Sequence, residues 1–166
     1  MSTRDAIALL KDQHRETEKL FKEFKQAKGE GRKKELAHEI CVALSVHFAL
    51  EEQIFYPACK GTVEESDLKE GYVEHDAAKL LVAEIEANES GEDSFFDSKV
   101  HVLQEEIEHH VEEEEGPGGI FAQARKGLDL EGIGERMAAM SKELEERYKS
   151  EGPPSPKLST MDEVSV

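Results

Sequence analysis

Val46-His47-Phe48-Ala49-Leu50-Glu51-Glu52 and its echo Glu108-His109-His110-Val111-Glu112-Glu113-Glu114-Glu115 decide how this chain folds. In each, a histidine (His47, His110) is followed four residues later by a glutamate (Glu51, Glu114). On an α-helix that spacing places both side chains on one face, about 40° apart around the axis. A face turned to water makes such a pair an ordinary salt bridge, whereas a face turned into a core needs a metal to hold it.

The segments around these pairs carry apolar residues at alternating spacings of three and four, as helices packed side by side do. Ile7, Leu10, His14, Thr17, Phe21 and Phe24 form the first stripe, after Ser2-Thr3-Arg4-Asp5, which reads as a capping box. The second is Ala37, Ile40, Leu44, His47, Glu51 and Ile54, expected to stop at Pro57. A weaker third stripe, His75, Ala78, Val82 and Ile85, runs out at Asn88-Glu89-Ser90-Gly91. Phe96, Val100, Leu103, Ile107, His110 and Glu114 make the fourth, broken by Gly116-Pro117-Gly118-Gly119. Residues 120–126 read as a short helix, and Leu130, Ile133, Met137, Met140 and Leu144 as a fifth helix covering the bundle.

The halves repeat. A shift of 63 residues lays His47 on His110 and Glu51 on Glu114, and a shift of 61 lays His14 on His75. Two similar helical hairpins related by a pseudo-twofold axis follow. With the first turn near residues 29–31, His14 and His47 both stand roughly 24 Å from it at about 1.5 Å per residue. With the second turn near residues 91–93, His75 and His110 are likewise level. Four histidines, one per helix, are thus expected at one height, with Glu51 and Glu114 one turn away, where a carboxylate can bridge two ions.

Composition bounds the function. The chain of 166 residues is expected to form one helical domain, residues 1–150, followed from residue 151 by a disordered tail. A net charge of -17 repels nucleic-acid phosphates and anionic membranes and attracts cations. No nucleic-acid or membrane partner is therefore expected. Met1 to Leu10 shows no apolar h-region and nowhere do 18 apolar residues run together, so a cytoplasmic protein is expected, as a monomer or weak homodimer. Cys41 and Cys59 fit no CxxC pattern and are expected as free thiols.

With 38 acidic residues in the chain, a glutamate four after a histidine also follows His14, His101 and His109, so spacing alone carries little. What separates His47 with Glu51 and His110 with Glu114 is that they occupy the apolar stripe, where an unpaired charge would cost several kcal/mol. Four imidazoles and two carboxylates suit iron, manganese or zinc, and helical-bundle cores lined this way build dinuclear iron sites. His38 and His101 lie one step off the stripe and His109 is expected to turn outward, while Glu52, Glu112, Glu113 and Glu115 read as a solvated face.

In order along the chain, His14, His47 with Glu51, His75, and His110 with Glu114 resemble the pattern H...HxxxE...H...HxxxE of the hemerythrin-like, or HHE cation-binding, family. DQHRETEKLF, EEQIFYP, VEHDAAKLLVAEIE and EHHVEEEE add context over residues 5 to about 121. The resemblance implies an all-α, up-down-up-down four-helix bundle holding two non-haem iron ions joined by an oxo or hydroxo bridge. It assigns the four histidines as terminal ligands and the two glutamates as bridges. It also implies chemistry with dioxygen or hydrogen peroxide, including catalase-like peroxide breakdown or a role in oxidative stress. The alternative is iron or oxygen sensing, or iron handling, without turnover. Oxygen-carrying hemerythrins have a fifth histidine four residues after the third and an aspartate five after the last, positions held here by Lys79 and Glu115, which argues against reversible oxygen carriage.

Overall fold

The computed structural model describes residues 4–88 and 92–161. Helices α1 (Ala6–Gln26), α2 (Glu30–Leu50), α4 (Glu65–Glu86) and α5 (Phe96–Glu115) form an up-down-up-down bundle. Between α2 and α4 come a π-helical stretch, Glu51–Phe55, and the short α3 (Tyr56–Cys59). A short α6 (Ile120–Ala124) leads to α7 (Leu130–Glu151), which packs across α1 and α2 as the expected fifth helix. No described helix is long and apolar enough to cross a membrane.

The stripes read from the sequence are the buried faces. All six stripe residues of α1 are buried, as are those of the second stripe, from Ala37 through Glu51 to Ile54. The polar positions divide the core into two apolar clusters: Ile7, Leu10, Val46, Phe55 and Phe121 belong to one, and Phe21, Leu44, Phe48, Leu103 and Ile107 to the other. His14, His47, Glu51, His75, His110 and Glu114 form the layer between them.

Two local expectations are corrected. The cap of α1 is Asp5, whose carboxylate accepts from the Ala8 amide at 2.8 Å; Ser2 and Thr3 of the expected capping box lie outside the described residues. The second helix does not stop at Pro57. Its hydrogen-bond frame widens at Glu51–Phe55, with the Tyr56 amide donating to the Glu51 carbonyl five residues back, and Pro57 then falls in the first turn of α3, where a missing N–H costs little. The tail from Gly152 is irregular, yet its described part is held on the bundle: the Ser159 and Thr160 amides donate to Asp76, and the Lys157 carbonyl accepts from Lys79. Asp76, buried on α4, and the half-buried Lys79 thus give a segment without a core of its own something to bind. Of the turn expected near residues 91–93, residue 91 and the preceding 89 and 90 lie outside the described residues.

The contact between α7 and the start of α1 is close enough to test. A Cβ at Gly134 would lie 2.5 Å from the Arg4 carbonyl oxygen and 2.8 Å from the Ala6 nitrogen, both backbone. Alanine in a helix interior ordinarily gains about 0.5–1 kcal/mol over glycine, but overpacking costs about 1–3 kcal/mol. Gly134→Ala is therefore expected to destabilise the protein, read as a lower urea midpoint with unchanged slope.

Candidate metal centre

Each of the four bundle helices delivers one histidine to the buried layer. His14 Nε2 lies 3.3 Å from His47 Nε2, and His75 Nε2 lies 3.1 Å from His110 Nε2, so the imidazoles are level in pairs, as the hairpin lengths require. Two groups of converging ligand atoms result: His14, His47, Glu51 and Glu114 in one, and Glu51, His75 and His110 in the other, the atoms of each lying within 4.8 Å of one another. Glu51 belongs to both. The π-helical widening begins at this residue, consistent with the tendency of such bulges to occur at functional sites.

Carboxylates fill the middle of the layer. Glu51 Oε1 contacts His47 Nε2 and lies 3.9 Å from both His75 Nε2 and His110 Nε2. Glu114 places Oε2 at 3.2 Å from His14 Nε2 and Oε1 at 3.4 Å from His110 Nε2. Both glutamates are fully buried, and both oxygens of Glu51 and Oε2 of Glu114 lack a hydrogen bond of good geometry. Buried oxygens left this way cost several kcal/mol unless a cation takes them. With four inward imidazole nitrogens around them, the residues fit a pair of metal ions.

Outward nitrogens are fixed by other side chains. Glu115 meets His14 Nδ1 at 2.7 Å, Gln13 Oε1 meets His47 Nδ1 at 2.8 Å, and Glu74 meets His110 Nδ1 at 3.0 Å. Such bonds fix ring orientation and commit the other nitrogen to a metal. His75 is the exception, with Glu52 Oε1 at 3.8 Å and Nδ1 unbonded. Glu115 is therefore not the solvated face expected of it, since its carboxylate bonds an imidazole, and Glu52, mostly buried, stands beside His75 without bonding it. Gln13 and Glu74 were not singled out in the sequence, although each directly precedes a central histidine.

The remaining histidines lie elsewhere. His38 is half exposed against Glu86, and His101 and His109 are exposed, paired with Glu105 and with Glu74 and Glu113. Cys41 and Cys59 are buried free thiols, and burial raises Cys41 and pushes Cys59 up to about 12, so neither is poised as a thiolate.

Burial is the largest influence on the ionisation of the central groups. It takes His47 down to about 4 against the attraction of Glu51 and lowers His75, leaving both as the neutral imidazoles a metal binds. At His14 and His110 burial pulls the same way, but nearby carboxylates, Glu114 foremost, outweigh it and raise both. Glu114 is itself pushed up to about 7, first by burial and then by the charge of Glu51.

Tyr56, also missed by the sequence reading, is fully buried, stacks on His75 with centroids 5.4 Å apart, and donates its hydroxyl to Glu114 Oε1 at 2.7 Å. Gly71 on α4 makes room for it: a Cβ there would lie 2.8 Å from the hydroxyl and 3.1 Å from Cζ. Gly71→Ala is expected to push the phenol off Glu114 and to destabilise the fold by about 1–3 kcal/mol, less the small helical gain of alanine. Ultraviolet absorption of the phenol and urea titration check the two halves of this expectation.

Comparison with known proteins gives the same pattern a name. The model of the "Hemerythrin HHE cation binding domain" matches residues 5–117, which contain all six central residues. A protein described as "DNA nickase" from Nostoc sp. is 29% identical over 131 residues, covering 79% of this chain and 36% of its own length. The chain thus spans little more than a third of that relative. No solved structure matches. With the domain model covering more than half of the chain and its buried layer rich in metal-binding side chains, the chain belongs to the hemerythrin HHE cation-binding family, a family of metal-binding domains.

Proposed function

We propose that the protein is a non-haem di-iron protein that reacts with dioxygen or hydrogen peroxide. The reading is carried by Glu51, a fully buried carboxylate without hydrogen-bond donors that belongs to both groups of ligand atoms. In this reading His14 and His47 would hold one ion and His75 and His110 the other, with Glu51 and Glu114, the latter facing both His14 and His110, shared between them; manganese or zinc would fit the same donors. Bound iron supplies the redox equivalents.

The chain's own residues restrict what can react. A cavity of about 10 Å³ beside the layer is lined by His14, His47, His110, Thr17, Leu44, Phe48, Ile107 and Val111. That volume holds about one water-sized molecule, which leaves no room there for an organic substrate. Four of these eight side chains, Leu44, Phe48, Ile107 and Val111, are apolar. Tyr56 holds a proton 2.7 Å from Glu114 and 3.5 Å from His110 Nε2.

Peroxide added to the iron-loaded protein should release oxygen, two peroxides giving one dioxygen and two waters, faster than the same iron free in solution. Turnover no greater than free iron overturns the peroxide reading. The activity in the name of the Nostoc relative is not carried over, because a net charge of -17 opposes binding to a phosphate backbone.

A further inference from the structure

The internal repeat extends to the partners that orient the histidines. Gln13 precedes His14 and bonds His47; Glu74 precedes His75 and bonds His110. In the same way Glu115, following Glu114, bonds His14 at 2.7 Å. The equivalent of Glu115 is Glu52, following Glu51, and its equivalent target is His75. Here the symmetry breaks: Glu52 stands 3.8 Å from His75 Nδ1, and that buried nitrogen has no hydrogen-bond partner.

What holds Glu52 away is visible. Lys79 Nζ donates to both of its oxygens at 2.8 Å, and the Ser159 hydroxyl donates to Oε1 at 3.2 Å. Ser159 belongs to a short strap laid across α4 from the C-terminal side. The strap is anchored on Asp76, the residue after His75, whose fully buried carboxylate takes the Ser159 amide at 2.9 Å, the Thr160 amide at 2.7 Å and the Thr160 hydroxyl at 2.6 Å. Lys79 also donates to the Lys157 carbonyl at 3.0 Å and lies 3.7 Å from Asp76. A cavity of about 570 Å³ lined by Phe48, Glu52, Lys79, Tyr148, Pro154 and Pro156 lies between strap and bundle and gives these side chains room to move.

We propose that Glu52 is the positioning residue of His75 and that the strap bearing Lys157, Ser159 and Thr160 withholds it, so that release of the strap completes the fourth outer hydrogen bond of the centre. Undocking strips Asp76 of three donors. Lys79, already 3.7 Å away, moves to the uncompensated carboxylate. Glu52, freed from Lys79 and Ser159, closes on His75 Nδ1 as Glu115 closes on His14. A carboxylate on that nitrogen fixes the ring and makes it a stronger donor, so the strap adjusts how firmly the His75 side holds its metal. The inference rests on the metal-centre reading given above.

The full-length protein loaded with zinc tests it, because a metal on Nε2 leaves the proton on Nδ1 for nuclear magnetic resonance to read. In the parent, the Nδ1 protons of His14 and His110 are expected far downfield and that of His75 not. In Thr160→Pro, which removes an amide and a hydroxyl from Asp76, the His75 proton is expected to join them. The double variant Thr160→Pro/Glu52→Ala should lose that signal again, and Lys157→Ala should change nothing, because Lys157 contributes only its carbonyl. The Ser159 amide should exchange at least about tenfold faster in Thr160→Pro than in the parent, since a docked amide is protected and a freed one is not. A His75 proton already downfield in the parent, one unmoved by Thr160→Pro, or an unprotected Ser159 amide overturns the strap while leaving the metal centre standing. A chain that binds no zinc overturns the centre itself, and this inference with it.

Discussion

Glu51→Ala is expected to lower the metal content of the protein from two ions per chain to one at most. Glu51 belongs to both groups of converging ligand atoms, whereas every other central residue belongs to one. Its removal takes the shared carboxylate from both and leaves five donors, four of them imidazoles that burial or neighbouring carboxylates have already tuned. His47→Ala and His110→Ala should likewise abolish stable binding of a pair of ions. His109→Ala is the control: its ring is exposed and paired with Glu74 and Glu113, so metal content should stay at the parent value. Metal analysis of the purified variants reads all four. Equal losses at His109 and His110 would mean that the fourth bundle helix presents a different face from the one described.

Phe121→Ala is expected to produce the largest loss of stability. Phe121 is 2% exposed, stacks on His14 with ring centroids 5.7 Å apart and meets Phe55 edge-on at 5.8 Å. Truncating a buried phenylalanine costs about 3–5 kcal/mol, and for a chain of this size each kcal/mol moves the melting temperature by about 2–4 °C. A fall of roughly 6–20 °C follows. Because the same ring backs His14, metal affinity should fall with it. Phe95→Ala, at a position 66% exposed, should fall within about 0.5 kcal/mol of the parent. Thermal melts of the metal-free variants separate the packing effect from the effect on the centre.

The bundle and its polar layer were legible because histidine and glutamate interrupt an otherwise apolar stripe. Leu44, His47, Glu51 and Ile54 share one buried face, and a polar residue on such a face must have a reason to be there. The height of the four histidines followed from helix rise alone and is met by Nε2 separations of 3.3 and 3.1 Å. What was not legible lies one residue to either side. Gln13, Glu52, Glu74 and Glu115 flank central residues on the wheel, where polar side chains are ordinary, and only the neighbouring helix shows that they turn inward. Pro57 misled in a different way. A proline ends a helix whose hydrogen-bond register is regular, and the register here widens at Glu51 before the proline is reached. The contacts of the described tail were not legible because its composition is that of a solvated segment, whereas Asp76, on which Ser159 and Thr160 rest, lies on α4, far away in sequence.

Burial is what makes a site of the spacing. A His-Glu pair on an exposed helix is worth at most about 1 kcal/mol and needs nothing else, as His101 with Glu105 illustrates. The same pair inside the bundle leaves carboxylate oxygens without donors, and the fold supplies neither lysine nor arginine to the layer among the described residues. A cation bound from solution is what balances it.

Metal quantification on the purified, iron-replete protein, together with its optical spectrum, tests this most directly. Two iron ions per chain and a near-ultraviolet band of the kind given by a bridged diferric pair are the expected result. A stoichiometry near zero would contradict the account and leave an acidic helical bundle whose buried glutamates need another explanation.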